Sequence, residues 1–139
     1  MRFVKIFTLL FTLSALSWGQ NISSAPEGAR VYFISPTNGS VVDSPVIVRF
    51  GLSNMGVAPA GVNREGTGHH HLLIDVNELP SLITSLPSSA QIRHFGQGQT
   101  EVQLQLNPGD HSLQLLMGNY LHVPHHKPVL SEKIIITVN

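Results

Sequence analysis

The chain has 139 residues, of which 8 are Lys or Arg, 8 are Asp or Glu, 8 are His and none is Cys. This length fits a single domain, and the balanced charge excludes a protein that binds nucleic acid through a basic surface. The absence of Cys excludes disulfide bonds, thiolate-ligated zinc or iron–sulfur sites, and a thiol nucleophile. Histidine is roughly two to three times more frequent than ordinary composition would give, so a function has to account for it.

The first residues have the three parts of a secretory signal peptide. Two basic residues, Arg2 and Lys5, precede the apolar run 6–16, and small residues follow it. The apolar run is shorter than the roughly 20 residues that a membrane-spanning helix needs. We therefore predict a cleaved signal peptide at residues 1–19, a periplasmic or secreted location, and no membrane span in the mature protein.

The remaining chain alternates short apolar segments with turn sequences. Residues 20–29 are polar and are predicted to be a flexible lead-in to one domain at 30–139. Seven strands are predicted, at 30–35, 45–52, 69–76, 91–95, 100–106, 111–118 and 130–138. Because no segment has the pattern of an amphipathic helix, the sequence predicts an all-β fold. The number and spacing of the strands favour an immunoglobulin-like Greek-key β-sandwich.

That topology makes a prediction about the histidines. In a Greek-key sandwich, the connections after the second, fourth and sixth strands lie at one end. Seven of the eight histidines fall at this end, namely His69, His70, His71, His94, His122, His125 and His126. His111 begins the sixth predicted strand and falls at the opposite end.

Strand alternation divides the three consecutive histidines between two faces. His69 and His71 share one face, about 6–7 Å apart, whereas His70 points to the other. The connection after the sixth strand offers His122 and His125 as further nitrogen ligands. We therefore predict a metal site formed by His69, His71, His122 and His125, with His94 nearby.

An all-imidazole site suits copper or zinc, and the Irving–Williams order favours copper where it is available. Met55 and Met117 are predicted at the same end, where they offer soft sulfur ligands for Cu(I), although Met is also a common core residue. The partner predicted first is therefore a metal ion, and no organic cofactor is expected.

Three other interpretations remain open for the histidines. They form structural hydrogen bonds, or sense pH, or belong to a metal-dependent enzyme. In the main alternative, the connections 53–68 and 119–128 bind a protein or glycan of the cell envelope. The sequence contains neither Gly-x-Ser-x-Gly nor His-Glu-x-x-His, so no catalytic residue is predicted. Gly96 and Gly98 are expected to serve a turn with positive φ rather than a dinucleotide loop.

Several segments together carry a family resemblance. They are 31–36 (VYFISP), 56–61 (GVAPAG), 67–75 (TGHHHLLID), 94–101 (HFGQGQTE), 108–115 (PGDHSLQL), 122–125 (HVPH) and 131–134 (SEKI). On these segments the chain resembles a bacterial exported family, the domain of unknown function 4399, over residues 30–138. The resemblance implies a bacterial source, export and a single small β domain. It includes His111 in the family's pattern and implies no activity.

Overall fold

The computed structural model describes residues 22–139, which form strands and loops without a helix. The strands are β1 (Arg30–Ser35), β2 (Val41–Val42), β3 (Val46–Ser53), β4 (Gly56–Val57), β5 (Thr67–Ile74), β6 (Ile92–His94), β7 (Glu101–Leu104), β8 (Gly109–Gly118) and β9 (Ile134–Val138). Nothing in this part of the chain is a helix long and apolar enough to cross a membrane. The predicted signal peptide lies outside the described residues.

The strands form two sheets. The smaller sheet has the order β1-β3-β7, with both pairs antiparallel. The larger sheet has the order β2-β9-β8-β5-β4, and β6 also pairs with β5. In it β8 pairs antiparallel with both β5 and β9, while the two-residue strands β2 and β4 pair in parallel with β9 and β5 respectively. The predicted all-β, two-sheet, single-domain fold is therefore confirmed.

The main core lies between the two sheets. Val48 and Phe50 contribute from β3, and they pack with Leu72 of β5, Leu115 of β8 and Ile136 of β9. In β9 and in residues 46–50 of β3 buried and exposed residues alternate, as expected for strands with one face on the core and one in water. The hydrophobic period of the sequence thus determines which face of each strand is buried.

The strand β5 departs from this alternation, because it is buried on both faces. A second, smaller core of Leu73, Leu86, Ile92 and Leu116 covers the outer face of the larger sheet. From residue 68 to residue 74 every side of β5 is therefore enclosed. The three histidines of this strand consequently lie inside the protein.

The short strands β2 and β4 were not predicted, and the last predicted strand is shorter than expected. Two-residue strands carry no hydrophobic period, so only the pairing partners β9 and β5 define them. Residues 130–133 form a single bridge between Leu130 and Leu116 before β9 begins at Ile134. These differences come from long-range pairing, which local sequence patterns do not contain.

Candidate metal centre

The outer face of β5 presents two buried imidazoles. His69 and His71 point to the same side of the strand, and their ring centroids are 4.8 Å apart. Both side chains are almost completely buried, with exposures of 0% and 1%. The intervening His70 points to the main core, where its ring packs against Phe50 at 5.2 Å. The division of these histidines between two faces therefore follows the period of two.

The edge strand β6 adds a third imidazole. His94 is the residue directly opposite His71 in the β5–β6 register, so the two side chains share a face. Their rings are 5.3 Å apart, and the ring of His94 is 5.0 Å from that of His69. His94 is an exposed residue, so it forms the solvent side of the group.

The loop after β8 adds a fourth imidazole. His122 has a φ of 65°, a left-handed conformation that non-glycine residues seldom adopt. The side-chain oxygen of the buried Asn119 accepts hydrogen bonds from the backbone N–H groups of Leu121 and Val123, at 2.9 and 3.1 Å. The carbonyl of His122 accepts a hydrogen bond from the N–H of Leu86 at 2.9 Å. These bonds hold the loop in the shape that places the His122 ring over β5.

His69, His71, His94 and His122 together form what we call the four-histidine cluster. All six ring-to-ring distances within it lie between 4.5 and 6.0 Å. The Nε2 atoms of His94 and His122 are 3.0 Å apart. One ring nitrogen from each of His69, His71 and His94 lies within 4.8 Å of the other two. The four rings thus lie together, and those of His69, His71 and His94 bring their nitrogens closest to a common point.

The buried nitrogens of the cluster have no hydrogen-bond partner. Both ring nitrogens of His69 and the Nδ1 of His71 are buried and unpartnered. Most buried polar atoms in proteins are hydrogen-bonded, and leaving one unpaired costs about 1–3 kcal/mol. These nitrogens therefore lack the carbonyl or carboxylate that a structural histidine normally contacts.

The surroundings keep the buried rings uncharged. Burial, followed by the nearby His122 and His94, lowers the pKa of His69 from 6.5 to about 4. Burial, followed by His69 and His94, lowers the pKa of His71 to about 3. Burial and then His122 also lower the pKa of His94. At neutral pH His69, His71 and His94 therefore each offer a nitrogen lone pair, which is the form that binds a metal ion.

Two glycines make room for the imidazoles. A Cβ atom on Gly118, which is opposite His69 in the β5–β8 register, would lie 2.7 Å from Cε1 of His71. A Cβ atom on Gly96 would lie 2.3 Å from Cε1 of His94. Both Gly96 and Gly98 are expected from the sequence to serve a turn with positive φ, but only Gly98 has a positive φ. The expectation for Gly96 is therefore wrong. Gly96 instead provides space for a ring, which no local sequence signal indicated.

The geometry fits a transition-metal ion. Zinc binds imidazole nitrogen at about 2.0–2.1 Å, so two nitrogens of a tetrahedral site are about 3.3 Å apart. The Nε2 atoms of His94 and His122 are already at 3.0 Å. The nitrogens of His69, His71 and His94, within 4.8 Å of one another, need a small inward rotation of the rings. The donor set is neutral imidazole, which suits zinc and copper.

The structure does not bring every predicted ligand into the cluster. His125 is buried, with 2% exposure, but its ring lies beside Gly68, on the inner face of β5 that also carries His70. His126 is exposed, and its N–H donates to the carbonyl of Ser23. The predicted site thus contains His69, His71, His94 and His122 as neighbours and has His125 across the strand.

His111 lies apart from the cluster and is fully hydrogen-bonded. Its Nδ1 donates to the Asp75 carboxylate at 2.7 Å, and its Nε2 donates to the carbonyl of Asn107 at 2.9 Å. The hydrogen bond to Asp75 is the largest cause that raises the pKa of His111. This histidine joins the end of β5 to the start of β8 and has a structural role.

Comparison with known proteins identifies the family. The family model described as Domain of unknown function (DUF4399) matches residues 48–139, which is more than half of the chain. The chain therefore belongs to this family, as its motifs indicated. Neither the curated proteins nor the solved structures contain a match to it.

Proposed function

We propose that this member of the DUF4399 family binds one transition-metal ion, copper or zinc, through His69, His71, His94 and His122. The observation that carries the proposal is the convergence of four imidazoles, of which His69 and His71 have buried ring nitrogens without a protein partner. An ion between the rings would take one nitrogen of each imidazole, since a neutral imidazole has a single nitrogen lone pair that can bind a metal. His94 is exposed and His122 is half-buried, so the ion would reach the site from solvent.

The same observation weighs against a purely structural role for the cluster. A structural histidine donates to a carbonyl or carboxylate, as His111 does to Asp75 and Asn107. A pH sensor in the physiological range needs a pKa near neutrality. Burial instead lowers the pKa of His69 to about 4 and that of His71 to about 3. Metal binding uses the unpaired nitrogens and the neutral rings together.

We also propose that the protein acts after export from a bacterial cell, as a periplasmic or secreted metal-binding module. The support is the charged, apolar and small-residue pattern of residues 1–19. In that compartment it would buffer or carry the ion. The immunoglobulin-like description of the fold draws its support from the strand order, with β1, β3 and β7 in one sheet and β6, β5, β8 and β9 in the other.

Calorimetric titration of the metal-free protein with Cu(II) and Zn(II) tests the proposal. We expect one ion per chain in the wild-type protein, and loss of binding in the His69→Ala/His71→Ala variant. His94→Ala is a second variant, because this residue is exposed and its replacement leaves the core intact. His126→Ala is the matched control, since His126 is exposed and lies outside the cluster.

Two results would contradict the proposal. One is wild-type binding no tighter than tens of micromolar for both ions, which corresponds to less than about 7 kcal/mol of binding free energy. The other is undiminished binding in the His69→Ala/His71→Ala and His94→Ala variants. Either result would favour a structural role for the four-histidine cluster.

A second candidate function rests on a different surface. Tyr32, Ile34 and Ile47 are 40%, 56% and 46% exposed on the outer face of the smaller sheet. Exposed apolar side chains grouped on one face favour an interaction site for an envelope protein or glycan. Tyr32→Ser/Ile34→Ser would weaken such an interaction in a pull-down from envelope extracts and would leave metal binding unchanged.

A further inference from the structure

The inner face of β5 carries a second group of metal-binding side chains. Gly68 lies on this face, two residues before His70. A Cβ atom on Gly68 would lie 3.0 Å from Cε of Met55 and 3.1 Å from Cε1 of His125. The methionine methyl group and the imidazole ring therefore both border the space beside this glycine, next to the carbonyl oxygen of Gly118.

A second thioether borders the same space. Met117 is fully buried in the main core and is directly opposite His70 in the β5–β8 register. Opposite residues of an antiparallel pair have Cβ atoms about 4.5–5.5 Å apart, so Met117 also lies on the inner face. The antiparallel bridge between Gly118 and Pro124 makes Met117 and His125 the next opposite pair, so His125 lies beside this methionine.

The imidazoles of this face have unused nitrogens. The Nδ1 of His125 and both ring nitrogens of His70 are buried without a partner. Burial lowers the pKa of His125, so its ring is neutral at pH 7 and has a free lone pair. Neutral imidazole together with thioether sulfur is a soft donor set, which selects Cu(I) over Zn(II).

An ion has a route to this group. Met55 is only half-buried, so its side chain separates the inner face from solvent. A cavity of about 360 Å³ also reaches the His125 ring, and its lining includes Ser23, Thr67 and Tyr120. The group is therefore near the surface although His125 itself is buried.

We propose that Met55, Met117 and His125 form a second ion site, selective for Cu(I), on the inner face of β5. The strand then separates two kinds of donor set: nitrogen only on the outer face, nitrogen and sulfur on the inner face. This site does not depend on the four-histidine cluster. If both sites bind, copper rather than zinc is the cargo, because only copper is stable in forms that suit each donor set.

Ag(I) is the probe for the inner site, because it is a soft ion that resembles Cu(I) and does not change oxidation state during the titration. We expect the full chain to bind Ag(I) and the Met55→Leu/Met117→Leu variant to bind it at least tenfold more weakly. Exchange of Met for Leu conserves volume, so this variant should fold. The same variant should bind Cu(II) at the four-histidine cluster as tightly as the wild type.

X-ray absorption of the Cu(I)-loaded protein gives a readout that does not depend on a variant. We expect a sulfur shell in the wild-type protein and in the His69→Ala/His71→Ala variant, and its loss in Met55→Leu/Met117→Leu. His126→Ala is the control that should change neither measurement.

The proposal is overturned if Ag(I) affinity is unchanged in the Met55→Leu/Met117→Leu variant. It is also overturned if wild-type Cu(I) protein has only nitrogen neighbours, and this outcome decides the question even if the methionine variant does not fold. Failure of the four-histidine cluster is distinguishable, since it would appear as absent Cu(II) and Zn(II) binding with the sulfur shell retained.

Discussion

The two ends of β5 use the same residue type in opposite ways. At one end, the rings of the four-histidine cluster are neutral, and the buried nitrogens of His69 and His71 are unpartnered. At the other end, His111 has a raised pKa, and both of its nitrogens donate hydrogen bonds. A structural histidine is therefore distinguished from a candidate ligand by whether its ring nitrogens have hydrogen-bond partners, and burial alone does not distinguish the two.

The largest expected effect is stabilisation by metal. At a free metal concentration 100 times Kd, binding adds about 2.7 kcal/mol to the free energy of unfolding, or roughly 10 °C in Tm for a domain of this size. Thermal unfolding with and without EDTA measures the effect. In the His69→Leu/His71→Leu variant we expect no response to Cu(II) or Zn(II). Its metal-free form should be at least as stable as the wild type, because the substitutions remove unpaired buried polar atoms. A large loss of metal-free stability would mean that these nitrogens have partners.

Acid sensitivity should come in large part from the cluster, although burial also lowers the pKa of His70, outside the cluster, to about 4. The pKa of His69 falls from 6.5 in the unfolded chain to about 4 in the folded protein. The unfolded state therefore binds more protons between these values, so the contribution to stability is complete above pH 6.5 and is lost as pH falls towards 4. Denaturant unfolding of the metal-free protein from pH 7 to pH 4 should show this decline. The decline should be smaller in His69→Leu/His71→Leu, and an equal slope in both proteins would refute this assignment.

Gly118→Ala should disturb the cluster without removing a ligand. The added Cβ would lie 2.7 Å from Cε1 of His71 and displace the ring. Such overpacking costs about 1–3 kcal/mol, and we expect metal affinity to fall at least tenfold. His71→Ala removes the ring that the methyl group would meet first, so adding Gly118→Ala to it should cost less stability than in the wild type, with only the His122 backbone at 3.3 Å still close. Equal costs in both backgrounds would show that the two residues do not interact.

Asn119→Ala should act on metal affinity through His122. The substitution removes the acceptor of two backbone hydrogen bonds that shape the loop. We expect about 1–2 kcal/mol weaker metal binding, which is roughly fivefold to thirtyfold in Kd, with one ion still bound per chain. In a His122→Ala background, Asn119→Ala should have no further effect on calorimetric affinity. An additive loss would instead assign Asn119 a role elsewhere in the fold.

The smallest effect concerns His111. Its folded pKa is raised above 6.5, so its contribution to stability is complete below pH 6.5 and is lost as pH rises through the folded pKa. Because the Asp75 side chain is 43% exposed, we expect the ion pair to contribute at most about 1 kcal/mol. Unfolding from pH 6 to pH 9 should show this decline in the wild type and not in Asp75→Asn. The dependence of the free energy of unfolding on pH thus has the opposite sign to that expected for the four-histidine cluster. The same sign for both would contradict the contrast drawn between the two ends of β5.

Much of the architecture could be predicted from local patterns. The alternation of apolar residues predicted strands at β1, β3, β5, β7 and β8, and the period of two placed His69 and His71 on one face and His70 on the other. The family was also identifiable from the motifs, since the family model matches residues 48–139. These features depend on short-range geometry, in which neighbouring side chains have fixed relative directions.

The choice among the loop histidines depended on tertiary structure. His122 and His125 are three residues apart, and the sequence assigned both to one site. In the structure, the positive φ of His122 and the hydrogen bonds that backbone N–H groups of the loop donate to Asn119 turn the two rings to opposite faces of β5. A loop has no period that fixes side-chain direction, so only its long-range contacts decide where each ring lies.

The sequence by itself determined that this protein is an all-β domain with many histidines and that β5 presents imidazoles on both faces. Only the tertiary structure decided which rings meet. The meeting of the rings depends on the strand register, which places His94 opposite His71, and on the space left by Gly96 and Gly118. Strand register and the use of the space beside a glycine both depend on contacts between segments that are distant in sequence. For that reason the donors could be recognised from the chain, whereas their arrangement required the fold.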